Sequence, residues 1–354
     1  YKTWMFQIRL HDLPSAERST LRQRLAVWAE ERGGSLVDAK EGAQVIYMEG
    51  VTESSVELLR AWKGIHSAQA ERAKGHPSLK ALPSAVTVRG ARFGGGSASC
   101  IAGPCAVENF DALMSLAEQM AAAGATGLRG GAFKPRTSPY GFQGLGERGL
   151  EMLSAVGKAT GLAVVTELLD VRDLDLVANH ADVLQIGSRN MSNTPLLQEV
   201  GRSGLPVLLK RGMSATIEEF LFAAEYVALG GAPSILLCER GLRHFDPAVR
   251  NLLDLSAVPV LKARTGLPVI VDPSHGTGVA TLVPDMMLAA AAAGADGFLI
   301  EVHPNPSASW SDADQALPIE IFTATLPRVA KVLQACERNL HGYVATTRVE
   351  EPKI

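Results

Sequence analysis

From Ser99 onward the chain alternates short, almost wholly apolar runs with amphipathic helical segments, and it does so eight times. The apolar runs lie at 100–102, 127–133, 163–168, 183–187, 207–210, 234–238, 269–271 and 297–302. Helical patterns lie between them, such as 110–123, 217–229 and 284–293. A strand that is apolar on both faces must be covered on both faces, which is the situation of a parallel sheet flanked by helices. Eight strands, each followed by a helix, predict an α/β fold of the closed (β/α)8 TIM-barrel type. An eight-stranded doubly wound sheet has a similar rhythm, but the strand count and the chain length favour closure. The 354 residues hold one barrel of about 250 residues with room for a small second domain.

The front of the chain follows a different rhythm. MFQIRL alternates as a strand, and Ser15 is the expected N-cap of a helix running through Arg32 to Gly33-Gly34. Residues 35–40 and 44–49 read as two strands around a turn at Glu41-Gly42, 54–62 as a second helix and 65–71 as a last strand. The order βαββαβ is that of a ferredoxin-like unit. Such units bind small ligands or only pack, and the pattern leaves both open. Pro, Ser and Lys in 74–84 give a linker composition, and 87–93 reads as a short strand able to cover the barrel bottom. The expected domains are therefore 1–73 (ferredoxin-like), 74–84 (linker) and 85–354 (barrel).

Composition excludes more than it selects. A net charge of −3 gives no electrostatic reason to expect nucleic acid or an anionic membrane as partner. Four cysteines at unrelated spacings are not a disulfide framework in a chain this long, and point to a reducing cytoplasm. The chain opens without the apolar core and cleavage site of a signal peptide; starting at Tyr1 reads as a trimmed end, with Met5 nearer the natural start. The alanine-rich run at 288–294 is too short to cross a bilayer.

A parallel barrel carries its chemistry at the C-terminal ends of its strands. Read in order, those ends are GPCAVEN, RGGAFKPRTS, TELLD, IGSRN, LLKRG, CERG, DPSHG and IEVHP. Two chemical sets separate out. Cys105, His275 and Glu301 follow the first, seventh and eighth strands, which are neighbours in a closed barrel, and Asp312 follows in the next loop. A lone cysteine is usually a small buried hydrophobe and a lone histidine a hydrogen-bonded structural residue. Four such groups at converging positions make a mixed S/N/O set suited to one divalent ion such as Mn, Fe, Co or Zn. Cys100, Cys238 and Cys336 lack such company and read as packing residues. The second set is basic: Arg129, Lys134, Arg136, Arg189, Lys210, Arg211, Arg240 and Arg243. That many cations at one mouth imply a multiply anionic substrate, whereas Arg202 and Arg250 read as solvated rim. No Walker loop or Gly-x-Gly-x-x-Gly follows a strand, so a nucleotide is not indicated; GGGS at 94–97 reads as a turn.

These segments, together with the longer GGAFKPRTSPYGFQGLG, IGSRNM, LLKRGM, DPSHGTG and IEVHPNP followed by Ser311-Asp312, resemble the 3-deoxy-D-arabino-heptulosonate-7-phosphate (DAHP) synthase family, which opens the shikimate pathway to aromatic amino acids. The likeness runs from about Cys100 to the end of the eighth strand, and the front unit is similar to the type Iβ branch. The resemblance implies Cys105, His275, Glu301 and Asp312 as metal ligands. It implies Arg129, Lys134, Arg189, Lys210 and Arg240 around phosphoenolpyruvate, and Lys134, Arg136, Thr137 and Ser138 around erythrose 4-phosphate. Glu167 would position a water near the enol carbon, and Lys134 would deliver or relay a proton. A homotetramer and feedback by an aromatic amino acid are further family expectations. The nearest rival is 3-deoxy-octulosonate-8-phosphate synthase, whose second-strand loop usually reads Lys-Ala-Asn-Arg-Ser; here Lys134-Pro135-Arg136-Thr137-Ser138 favours the four-carbon aldose. A non-catalytic amino-acid-binding regulator on a barrel scaffold is the other alternative, and the intact ligand and basic sets speak against it.

Overall fold

The computed structural model describes residues 5–37, 44–71, 76–134 and 140–345, in two units, Tyr1–Pro77 and Ser78–Ile354.

In the first unit β1 (Met5–Leu10), α1 (Ser15–Glu30), β2 (Ser35–Val37), β3 (Val45–Glu49), α2 (Glu53–Leu59) and β4 (Ile65–Glu71) build an antiparallel sheet of order β2-β3-β1-β4. This is the expected βαββαβ unit. Alternation puts Phe6, Ile8, Ile46 and Met48 on the covered face, against Leu21, Leu25 and Trp28 of α1 and Val56 and Leu59 of α2. Ser15 is not the N-cap: it is the first helical residue, and Pro14 holds the cap position without a side-chain bond. The cap that forms is on α2, where Thr52 accepts from the Ser55 N–H at 3.2 Å. Residues 38–40 of the expected second strand, and its turn at Glu41-Gly42, lie outside the described residues.

In the second unit, α3 (Pro77–Lys80) falls in the stretch with linker composition, yet Leu79 is fully buried in the barrel core and the Ser78 and Leu79 N–H groups donate to Glu225. The expected strand over 87–93 is a hairpin, β5 (Ala85–Val88) and β6 (Ala91–Gly94). Its turn has Arg89 at φ 48, in the left-handed region, with the guanidinium 2.9 Å from Asp182. Gly94, Gly95 and Gly96, all at positive φ, turn the chain into the barrel.

Among the described residues, eight parallel strands follow: β7 (Ser97–Gly103), β8 (Gly127–Arg129), β9 (Ala163–Glu167), β10 (Val183–Ile186), β11 (Val207–Lys210), β12 (Ile235–Glu239), β13 (Val269–Val271) and β14 (Gly297–Glu301). Each pairs with the next, and β14 pairs back onto β7 from Gly297↔Ser99 to Glu301↔Gly103, which closes the barrel. The helices between them include α4 (Phe110–Ala123), α5 (Glu147–Thr160), α6 (Leu174–Ala178), α7 (Thr194–Arg202), α8 (Ile217–Gly230), α9 (Ala257–Thr265), α10 (Pro273–Thr277), α11 (Val283–Ala292) and, after β14, α12 (Ile319–Ala335). Their ends are fixed by local chemistry. Asn109 caps α4, and Thr216 with Glu219 forms a capping box on α8. Strand residues alternate between two cores. Leu128, Val164, Leu184 and Leu209 pack against the helices, while Val165, Val183, Leu208 and Leu299 fill the interior. Val86, Val88 and Phe93 of the hairpin join the interior set and seal its N-terminal end. No helix among the described residues is long and apolar enough to cross a membrane.

Candidate metal centre and anion pocket

Strand alternation decides which strand-end residues enter the barrel. On β11 Leu208 is interior and Leu209 faces the helices, so Lys210 points in and Arg211 points out. The same parity brings in Arg129, Glu167, Gln185, Arg240, Asp272 and Glu301. At the C-terminal end of the strands, Arg129, Lys134, Glu167, Arg189, Lys210, Arg240, His275 and Asp312 line one pocket, together with Gln185, Gly187, Ser188, Met213 and Arg250.

The sulfur, carboxylate and imidazole groups meet at one side of this pocket. Ligand atoms of Cys105, Glu301 and Asp312 lie within 4.8 Å of one another. His275 Nε2 stands 3.4 Å from Glu301 Oε1, so the fourth predicted ligand lies beside Glu301 but outside that close group of three. Cys105 Sγ donates to Asp312 Oδ2 at 2.9 Å, and Lys134 Nζ reaches both the Cys105 sulfur and its carbonyl oxygen at 2.9 Å. This approach needs a glycine at 131, since a Cβ there would press on Lys134 Cδ and the Cys105 carbonyl. Asp312 sits at φ 52, a left-handed conformation that Asp tolerates better than most residues.

Burial and charge act against each other here. Burial, with the Glu301 charge, pushes the Cys105 thiol up to about 12, so the group is protonated at neutral pH until a cation draws the proton off. Burial also works against the Glu301 carboxylate, but His275, charged at acid pH, together with Arg129 and Lys134 prevails and holds it at about 2. Arg129 donates to its Oε1 at 2.6 Å. Burial lowers His275, leaving a neutral imidazole able to coordinate through Nε2, while Nδ1 lies 2.8 Å from Asp272 Oδ2. Asp272 also accepts from Lys210 Nζ at 2.7 Å and from the His275 N–H at 3.0 Å. The Asp272 carboxylate thus stands on the Nδ1 side of the ring, and Nε2 is the nitrogen that faces Glu301. The donor set of one thiol, one imidazole and two carboxylates, with Cys105 and Glu301 buried, therefore fits a borderline divalent cation.

Arg136, Thr137 and Ser138 lie outside the described residues. Three basic assignments change. Arg211 is no pocket cation: its Nη1 bridges Glu239 and Asp254, each at 2.9 Å, away from the interior. Arg243 does not line the pocket; its backbone N–H donates to the Met213 carbonyl. Arg250, read as solvated rim, is part of the lining and donates to Gln315 at 2.9 Å. Arg202 does pair with Glu199 in solvent. Cys100 and Cys238 are fully buried packing residues, whereas Cys336 is exposed. Gln185, Asp272 and Gln315 were not anticipated. For the first two the parity of their strands was an available signal.

The model of the DAHP synthetase I family matches residues 78–337. Over 244 residues the chain is 49% identical to phospho-2-dehydro-3-deoxyheptonate aldolase of Thermotoga maritima, covering 69% of this chain and 72% of that protein. A 2-dehydro-3-deoxyphosphooctonate aldolase of Syntrophotalea carbinolica is 32% identical over 271 residues, 71% of this chain and 96% of that protein. The crystal structure of the Thermotoga maritima phospho-2-dehydro-3-deoxyheptonate aldolase (DAHP synthase) superimposes with a TM-score of 0.74 at 36% identity, covering 96% of this chain and 99% of that one. A truncated form of 3-deoxy-D-arabino-heptulosonate 7-phosphate synthase from the same organism gives a TM-score of 0.69 at 42% identity, covering 73% of this chain and 95% of that one.

Proposed function

The chain belongs to the DAHP synthetase I family, and from that premise we infer that it is a 3-deoxy-7-phosphoheptulonate synthase, condensing phosphoenolpyruvate with erythrose 4-phosphate to give DAHP and inorganic phosphate. The observation that carries this reading is the meeting of two residue sets at one barrel mouth. A thiol, two carboxylates and a neutral imidazole converge beside a pocket lined by Arg129, Lys134, Arg189, Lys210 and Arg240.

Cys105, His275, Glu301 and Asp312 would hold one divalent ion, which when bound supplies Lewis acidity at the acceptor aldehyde oxygen. The rest is the work of side chains. Arg129, Arg189, Lys210 and Arg240 hold the phosphate and carboxylate of phosphoenolpyruvate, with guanidinium forks matching the planar oxygens. The Arg240 Nη1 and Arg129 Nε are buried without a hydrogen-bond partner among the described residues, which leaves donors available to such an anion. C3 of the enol attacks the aldehyde carbon, and Lys134 delivers a proton to the oxygen that becomes the hydroxyl. Glu167 faces the pocket and orients the water that adds at C2. The resulting hemiketal phosphate loses phosphate by C–O cleavage. Holding both carbons in register inside the barrel supplies several kcal/mol of the barrier.

Arg136, Thr137 and Ser138 take the erythrose 4-phosphate end in this reading, on the strength of the Lys-Pro-Arg-Thr-Ser motif. We further place 1–73 as a regulatory domain answering to an aromatic amino acid, the assembly as a homotetramer, and the enzyme in the cytoplasm. The absence of disulfides among the described cysteines is compatible with that compartment. A phosphate-release assay run with erythrose 4-phosphate and, separately, arabinose 5-phosphate tests the reaction; faster turnover of the five-carbon aldose would replace this reading by the octulosonate synthase.

A further inference from the structure

Glu301 accepts a hydrogen bond on each carboxylate oxygen, and only one of the donors is charged. Arg129 Nη1 holds Oε1 at 2.6 Å, and the side-chain amide of Gln315 holds Oε2 at 2.6 Å. The other end of that amide is also used: Gln315 Oε1 accepts from Arg250 Nη1 at 2.9 Å. The amide orientation is thereby determined, because a flip would set oxygen against carboxylate and NH2 against guanidinium. Gln315 is 1% exposed, so neither end has water to fall back on. Arg250 in turn stands 3.9 Å from Asp312 Oδ1 and on the wall of the pocket.

The chain path makes this contact unavoidable. A short 3-10 turn over Ala313–Gln315 follows Asp312, and Leu317 then pairs beside the end of β14, its N–H donating to the Glu301 carbonyl at 2.8 Å. Three residues after one expected ligand, the backbone thus lays Gln315 against another. Charge neutralisation does not explain it, since Arg129 already faces Glu301. A second cation there would compete with a metal for the carboxylate, whereas a neutral donor fixes its rotation and leaves its charge available.

We propose that Gln315 is a positioning residue of the metal centre, forming with Arg250 a relay that holds the Glu301 carboxylate in its ligating rotation. This rests on the metal reading given above, and the test keeps the two apart. Mn²⁺ alone is titrated into the full-length metal-free protein and free Mn²⁺ is read by electron paramagnetic resonance, for the parent, Gln315→Leu, Arg250→Met and the double variant. The Gln315→Leu variant is expected to bind Mn²⁺ about 10- to 100-fold more weakly, with a smaller loss for Arg250→Met and a double variant no weaker than Gln315→Leu, because Arg250 acts through Gln315. A parent that binds Mn²⁺ beside single variants that bind it equally well overturns the relay while leaving the metal reading intact. Additive losses in the double variant also overturn it. A parent that binds no Mn²⁺ removes the premise and the relay with it. If Gln315→Leu does not fold, the half-exposed Arg250→Met decides alone: a weaker dissociation constant with an unchanged metal-free Tm supports the relay, and an unchanged constant overturns it.

Discussion

Lys134 Nζ stands 2.9 Å from the sulfur of Cys105, so the one lysine shared by both expected substrate subsites also touches an expected metal ligand. An ammonium placed there stabilises a thiolate by proximity, yet burial still leaves the thiol at about 12. The cation that completes the centre must therefore displace a proton, and the first two predictions follow from this.

Removing the metal with a chelator should abolish turnover, and Mn²⁺ or a similar ion should restore it. Cys105→Ser should keep its fold and lose most activity, since a neutral hydroxyl is a much poorer ligand than a thiolate. Full turnover by protein shown to be metal-free by elemental analysis would refute the assignment.

Metal affinity should rise with pH. The free thiol titrates at about 12 and the bound one is a thiolate, so each metal bound near neutrality releases the Cys105 proton. Affinity should then climb about tenfold per pH unit across neutral pH. His275, lowered by burial, adds a second proton only below its own depressed value, where the dependence steepens. Calorimetry in buffers of different ionisation enthalpy measures the proton count; a count of zero at pH 7 contradicts the prediction.

Gly187→Ala should damage catalysis more than binding. A Cβ at this position would overlap Glu167 Oε1, so the carboxylate must move from the pocket. If Glu167 orients the attacking water as proposed, displacing it by about 1 Å can cost on the order of 10²-fold. The expected signature is a lower kcat with Michaelis constants little changed. An unaltered kcat would mean that Glu167 is not needed where it stands.

Acceptor and donor contacts should separate in steady-state kinetics. Arg136→Ala should raise the Michaelis constant for erythrose 4-phosphate more than that for phosphoenolpyruvate, and Lys210→Ala should show the reverse. Equal effects on both constants would remove the division of subsites.

The front unit should be dispensable for chemistry and required for feedback. The structure dictates where to cut: a chain beginning at Pro77 keeps Leu79 in the barrel core, whereas one beginning at Ala85 loses it. Loss of such a side chain costs about 3 kcal/mol in comparable cores, so the longer form should melt higher. Both should lose any response to tyrosine or phenylalanine. Coupling of about 1–3 kcal/mol would give the full-length enzyme about 5- to 150-fold inhibition. A full-length enzyme indifferent to every aromatic amino acid leaves this unit a packing role only.

The barrel strands were legible because strands buried on both faces leave uninterrupted apolar runs; 207–210 and 269–271 needed no adjustment. The hairpin was not, because the two-residue turn Arg89-Gly90 is too short to break the run by composition; only the slip in alternation between Val88 and Ala91 marks it. In the site, strand-end position identified Lys210 but gave Arg211 the same weight. The two differ by one residue of pleat, which sends Arg211 to Glu239 and Asp254. Arg250 escaped for another reason: it lies between β12 and α9, where no periodicity says which way a side chain faces. Gln315 needed the return of the chain beside β14, a tertiary fact.

The hairpin of β5 and β6 has one more effect. With Val86, Val88 and Phe93 plugging the floor, the described residues leave no way out at the N-terminal end, and whatever reacts at the mouth must leave by the way it came. If Arg129, Lys210 and Arg240 hold phosphoenolpyruvate as proposed, inorganic phosphate departing from among them crosses the path of the next phosphoenolpyruvate. The traffic through that doorway is one-at-a-time, so phosphate should compete with phosphoenolpyruvate for the free enzyme, and turnover becomes a matter of how quickly the vestibule clears.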